Sequence, residues 1–128
     1  MKLPGPDHPI TITQNPRRVR VTAGDIVIAE TSKALTLKEA RYPAVQYVPR
    51  QDANMALLER TDRVTHCPYK GDASYWNVTA VGEALKDVMW AYREPYDEMG
   101  TIRDHGAFYA NKVRIEANPS SGAVGADL

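Results

Sequence analysis

With 128 residues, sixteen basic and sixteen acidic side chains and a formal net charge of zero, the chain is about one domain long, enough to bury a sizeable core. Its basic residues are scattered, which excludes the concentrated positive footprint of a phosphate-backbone binder, and no stretch approaches the roughly 18 apolar residues of a membrane span. A single cysteine excludes an internal disulfide and fits a reducing compartment, so we expect a cytoplasmic protein that contacts neither nucleic acid nor membrane.

The opening MKLPGPDHPI holds three prolines where a secretory leader needs an unbroken apolar run, and residues 1–16 read as an irregular arm. A single folded domain is expected over 17–117. Period-two alternation in Arg18 to Thr22, Ile26 to Glu30 and Leu35 to Glu39 predicts three strands, the first two joined by a tight turn at Ala23-Gly24-Asp25. The longest basic cluster, Arg17, Arg18 and Arg20, reads as a solvated strand edge that discourages unwanted pairing. A fourth strand covers Val45 to Val48 and stops at Pro49. Asp52 then caps a short helix to about Arg60, with Met55, Leu57 and Leu58 facing a sheet. Thr61-Asp62 ends it, and a hairpin follows. Val88 to Arg93 and Val113 to Glu116 are further strand candidates, and Tyr96 to His105 has room for one helical turn. Residues 118–128 are small and polar and read as a flexible tail.

The hairpin segment THCPYKGDASYW concentrates the chemistry of the chain. Pro68 suits the first corner of a turn and Gly71 its left-handed closing position, so the expected loop is Pro68 to Gly71. That register sets Cys67 opposite Asp72, His66 opposite Ala73, Thr65 opposite Ser74 and Val64 opposite Tyr75. Thr65, Cys67, Asp72, Ser74 and Trp76 would share one face, and Val64, His66, Ala73 and Tyr75 the other. His66 and Cys67 are strand neighbours and point to opposite faces, so they cannot form a nucleophile–base pair. A base for Cys67 would have to come from His105, His8 or Asp72, while a nearby Lys70 would favour the thiolate. The competing reading makes Cys67 a small core residue and Lys70 a solvated loop charge. One cysteine and three histidines at 8, 66 and 105 lack the paired spacing of metal ligands, so neither metal nor other cofactor is expected. Val88, Trp90 and Tyr92 share one side of their strand. With Tyr75 they form the walls of a candidate small-molecule pocket, or a core of bulky side chains.

The segments RVRV, IAET, AVQYVPRQD, THCPYKGDASYW, WAYREPY and GAFYANKV resemble, from about Arg17 to Arg114, a bacterial family catalogued as a domain of unknown function and also filed under a nucleotidyltransferase-like label. The resemblance implies a mainly β fold: two small antiparallel sheets leaning together as a β-tent, with one short helix, similar to methionine sulfoxide reductase B and the ligand-binding domain of cereblon. Those relatives commonly hold zinc through two Cys-x-x-Cys pairs, and this chain has none. A nucleotidyl-transfer site needs a Gly-Ser turn and paired aspartates, whereas Asp25 and Asp52 stand alone.

The expected function is therefore that of a small binding domain. Its pocket is walled by Tyr75, Trp90 and Tyr92, carries Cys67, His66 and Lys70 at its mouth, and takes a small polar or anionic ligand or a peptide end. The alternative is an enzyme of hydrolase or transferase type with Cys67 or Lys70 as nucleophile and Arg50, Asp52 or His66 assisting. A third reading is a homodimeric module that associates through an open sheet edge.

Overall fold

The computed structural model describes residues 1–79 and 85–118. The fold is mainly β, built from two antiparallel sheets. In chain order the strands are β1 (Ile10–Gln14), β2 (Val19–Ala23), β3 (Ile26–Thr31), β4 (Leu35–Glu39), β5 (Val45–Pro49), β6 (Leu58–Cys67), β7 (Gly71–Val78), β8 (Leu85–Ala91), β9 (His105–Phe108) and β10 (Arg114–Ala117). One sheet has seven strands in the order β1-β4-β5-β9-β8-β7-β6, and the other three, β10-β2-β3.

Several expectations change. The alternating ITITQ run within the segment read as an irregular arm forms β1, which pairs with β4 and turns Ile10 and Ile12 toward the core. β2 is the middle strand of its sheet rather than a solvated edge, and Arg20 lies 3.3 Å from Glu30 on β3. The helix expected from Asp52 to Arg60 is replaced by two single 3-10 turns, Arg50–Asp52 and Met55–Leu57, after which β6 begins at Leu58. The cause is local. The Asp52 carboxylate accepts a hydrogen bond from the Thr31 hydroxyl at 2.6 Å instead of capping an N–H, and Asn54 caps the second turn by accepting from the Ala56 amide. The 3-10 segment Asp97–Ile102 occupies the place of the expected helical turn. All but the first residue of the expected 118–128 tail lies outside the described residues.

The hairpin register is shifted from the expected one. Cys67 pairs with Gly71, His66 with Asp72, Thr65 with Ala73 and Val64 with Ser74, leaving a three-residue loop, Pro68 to Lys70. Gly71 does take a positive φ, +109°, but inside the first pair rather than at the end of the loop. A three-residue connection closed by a residue of positive φ is a standard hairpin solution, and counting Gly71 as loop displaced the ladder by one. His66, Asp72, Ser74 and Val64 consequently share one face, and Thr65, Cys67, Ala73 and Tyr75 the other.

Two apolar clusters hold the fold. The first joins the sheets: Val21, Ala23, Ile28 and Val113 from the small sheet and its borders meet Val48, Trp76, Val78, Met89 and Phe108 from the large one. The second lies on the other face of the large sheet. There Leu35, Leu37, Tyr47, Tyr75, Tyr92 and Ala107 are closed over by Met99 and Ile102 of the 3-10 segment. Gly106 sits beside fully buried Met89, and a Cβ there would lie 2.5 Å from the sulfur. Gly106→Ala should cost about 1–2 kcal/mol in urea unfolding, and much less in a Met89→Ala background. Equal losses in both backgrounds would show that this contact is not the cause.

Candidate functional site

Lys70 is the one buried cation among the described residues, with a relative exposure of 7%. Its ammonium pairs with Glu39 at the end of β4 and stands 5.7 Å from the centre of the Tyr92 ring. The other Glu39 oxygen is 2.7 Å from His8 Nε2, and the His8 ring stacks on Tyr69 at 4.1 Å, nearly parallel. Lys70 thus belongs to a latch that fastens residues 2–9 across the hairpin turn, helped by the Lys2 amide donating to the Pro68 carbonyl and the Ala40 amide to that of Pro9. Burial opposes ionisation of Glu39. The hydrogen bonds and positive charges of Lys70 and His8 outweigh it and hold the carboxyl below its ordinary value.

The aromatic residues singled out from the sequence do come together. Tyr75 and Tyr92 are buried in the second cluster, and Trp90 packs against it, edge-on to Tyr47 at 6.4 Å and 4.5 Å from Tyr109. The Tyr75 hydroxyl is 2.7 Å from that of Thr65, and the Arg63 guanidinium covers the Tyr75 ring at 4.5 Å. Burial pushes the Tyr47 and Tyr92 hydroxyls well above their ordinary range. Tyr109 is pushed up to about 12 by burial and by its hydrogen bond with Tyr75. These rings are packed against one another at the second cluster. Cys67 is half-buried at the border of the same cluster, and its sulfur makes no hydrogen bond to a described residue. His8, held by Glu39, and His105, bonded to the Arg103 carbonyl, make no hydrogen bond to its sulfur.

The register shift sends His66 to the opposite face, where a cleft of about 590 Å³ opens between the hairpin and the segment after β8. On the hairpin side it is lined by Val64, His66, Gly71, Asp72 and Ser74, and on the other by Arg93, Glu94 and Tyr96. His66 Nδ1 donates to Asp72 Oδ1 at 2.8 Å, and the ring meets Tyr96 edge-on at 6.3 Å. The Tyr96 amide donates to the Lys70 carbonyl at 3.1 Å, which anchors the far wall to the hairpin turn. Arg93 and Glu94 are exposed to the cleft and form no side-chain hydrogen bond or ion pair with a described residue. Sequence reasoning reads Arg93 only as the end of a strand and Glu94 only as a carboxylate before a proline with no acid/base partner, and names neither as a site residue. The available signal was an Arg-Glu pair set directly before Pro95, where the chain must leave the sheet.

The remaining candidates lie apart. Asp52 borders a second cleft with Arg18, Glu30 and Lys33, and Arg50 a third beside Arg103 and His105. Of the eight residues named from the sequence, Cys67, Lys70, Tyr75, Trp90 and Tyr92 gather around the second core cluster, while His66, Arg50 and Asp52 each face different space. Among the described residues, no three His, Cys, Asp or Glu side chains are grouped to hold a metal ion, and no helix is long and apolar enough to cross a membrane.

The family model described as "Domain of unknown function (DUF427)" matches residues 11–119, and the chain belongs to that family. Comparison with curated proteins gave no match.

Proposed function

We propose that this protein is a binding domain for a small polar ligand carrying both charges, an amino acid or a peptide end, taken up in the cleft between the hairpin and Arg93–Tyr96. The observation that carries the reading is the state of the charges there. His66 and Asp72 satisfy each other, whereas Arg93 and Glu94, of opposite sign, have no described partner. A guanidinium suits a carboxylate through paired N–H bonds, a carboxylate suits an ammonium, and Tyr96 offers an apolar wall between them. Tyr75, Trp90 and Tyr92 pack in the core on the other face of the hairpin sheet and do not line this cleft.

The other readings have less support. An enzyme using Lys70 would first have to break its pairing with Glu39, and Cys67 has no base within hydrogen-bond reach. Self-association through the β6 edge meets the bulge between Arg60 and Val64, which interrupts the ladder a partner strand would extend. The reading takes the cytoplasm as its setting, in keeping with a lone thiol, and includes no nucleic-acid partner.

Titration calorimetry with glycine, glutamate and the dipeptide Gly-Gly tests it. At least one probe should bind saturably, and Arg93→Ala should weaken it at least roughly tenfold, the loss expected for one charge-assisted hydrogen bond. Absence of saturable heat with every probe, or unchanged affinity in Arg93→Ala, would overturn the proposal.

A further inference from the structure

A separate cleft of about 430 Å³ opens where the end of β5 meets the start of β9, lined by Pro49, Arg50, Gln51, Arg103, Asp104 and His105. From its composition and rigidity we infer that this cleft is a second binding site, specific for a phosphate monoester or inorganic phosphate. Two guanidinium groups, an imidazole and a side-chain amide converge on it against one carboxylate. Arginine is the side chain best matched to phosphate, because its fixed fork of N–H donors meets two phosphate oxygens at once.

Two of these groups, Arg50 and His105, are positioned before any ligand arrives. The Arg50 guanidinium rests 5.4 Å from the centre of the Trp76 ring, and Trp76 is itself 3% exposed, so the platform cannot shift. The Arg50 amide donates to the Asp104 carbonyl at 2.9 Å and ties the two segments together. Asp104 takes φ +59°, a left-handed conformation that aspartate adopts more readily than most side chains. It turns the chain sharply between Arg103 and His105. His105 Nδ1 donates back to the Arg103 carbonyl at 2.8 Å, which fixes the ring and leaves Nε2 facing outward, where it donates to an anion only in the imidazolium form.

The one internal charge partner is weak. Arg50 Nη1 stands 3.7 Å from Asp104 Oδ1, at the long end of an ion pair, and the Asp104 side chain is 68% exposed. Such pairs contribute little in water, so a dianion entering between the arginines displaces the carboxylate at small expense. Arg103 is exposed and makes no side-chain hydrogen bond or ion pair with a described residue. The second cleft differs in this respect, since its Arg18 is matched by Glu30 and its Asp52 by Thr31.

The site is independent of the Arg93 cleft, and one experiment separates them. Backbone amide shifts of the labelled full chain are followed while inorganic phosphate, O-phosphoserine or, at equal ionic strength, chloride is added. Phosphate and O-phosphoserine should each shift Gln51, Arg103, Asp104 and His105 saturably. Tighter binding of O-phosphoserine would identify a monoester as the ligand, and equal affinity would identify the free anion. Arg103→Ala should weaken binding at least roughly tenfold with its melting temperature unchanged, since its side chain is exposed, while Arg93→Ala should leave these shifts intact. If chloride reproduces the shifts, or Arg103→Ala binds phosphate as well as the wild type, the inference is wrong.

Discussion

Glu39→Gln is expected to lower the unfolding free energy by about 3 kcal/mol at pH 7, the lower end of the roughly 3–5 kcal/mol lost when one member of a buried ion pair is removed. The lower end applies because water still reaches the pair, whose side chains are 9% and 15% exposed. The substitution keeps the shape and one acceptor oxygen but removes the charge that faces both Lys70 and His8. Lys70 is left as a buried ammonium with only a neutral amide oxygen and the Tyr92 ring beside it, and the arm held through His8 loses the charge that fastens it. The double variant Glu39→Gln/Lys70→Met should recover most of the loss, because an apolar side chain of similar length has no charge to compensate. Urea unfolding of the wild type and the two variants measures this. Equal midpoints for wild type and Glu39→Gln would show that the latch contributes nothing.

The same pair predicts an acid limb. The folded Glu39 carboxyl is held below its unfolded value, near 4.5, so its contribution is complete above that pH and is lost as the pH falls through the depressed folded value. Protonated Glu39 then resembles glutamine. The stability gap between wild type and Glu39→Gln should therefore be widest near neutrality, narrow once the pH falls below the unfolded value near 4.5, and close only below the depressed folded value. A gap that stays constant from pH 7 to pH 3 would mean that the loss comes from packing and not from charge.

How much of this was legible in the sequence depended on whether the deciding force was local. Alternation in VRVTA, IVIAE and LTLKE announced β2, β3 and β4, because a half-buried strand needs a period of two. The same signal in ITITQ was present and overlooked beside the prolines of the arm. Asp52 and Met55 to Leu58 had the pattern of a capped helix, but the Thr31 hydroxyl, twenty-one residues away, claimed the carboxylate. No local rule contains that contact. The hairpin was visible while its register was not, since Gly71 with positive φ fits the end of a four-residue loop as well as the closure of a three-residue one. That single step moved Asp72 from the face of Cys67 to that of His66. Lys70 looked like a solvated charge because its partner, Glu39, lies thirty-one residues upstream.

Trp76→Ala should cost about 4 kcal/mol, the middle of the range for deleting a buried tryptophan side chain. Trp76 is 3% exposed and stands in the cluster that joins the two sheets, in company with Val78, Met89 and Phe108, so truncation opens a cavity at the joint itself. Trp90 provides the contrast within the same sheet. It is half-buried, packs at the border of the other cluster, and touches Tyr47 and Tyr109 rather than the small sheet. Its truncation should cost about half as much. Trp76→Phe keeps an aromatic face under Arg50 and most of the volume, and should cost about 1.5 kcal/mol. The three variants, compared by urea unfolding, therefore rank the two clusters. If Trp90→Ala proves the costlier change, the aromatic layer around Tyr47 and Tyr92, and not the joint between the sheets, is what chiefly holds this fold together.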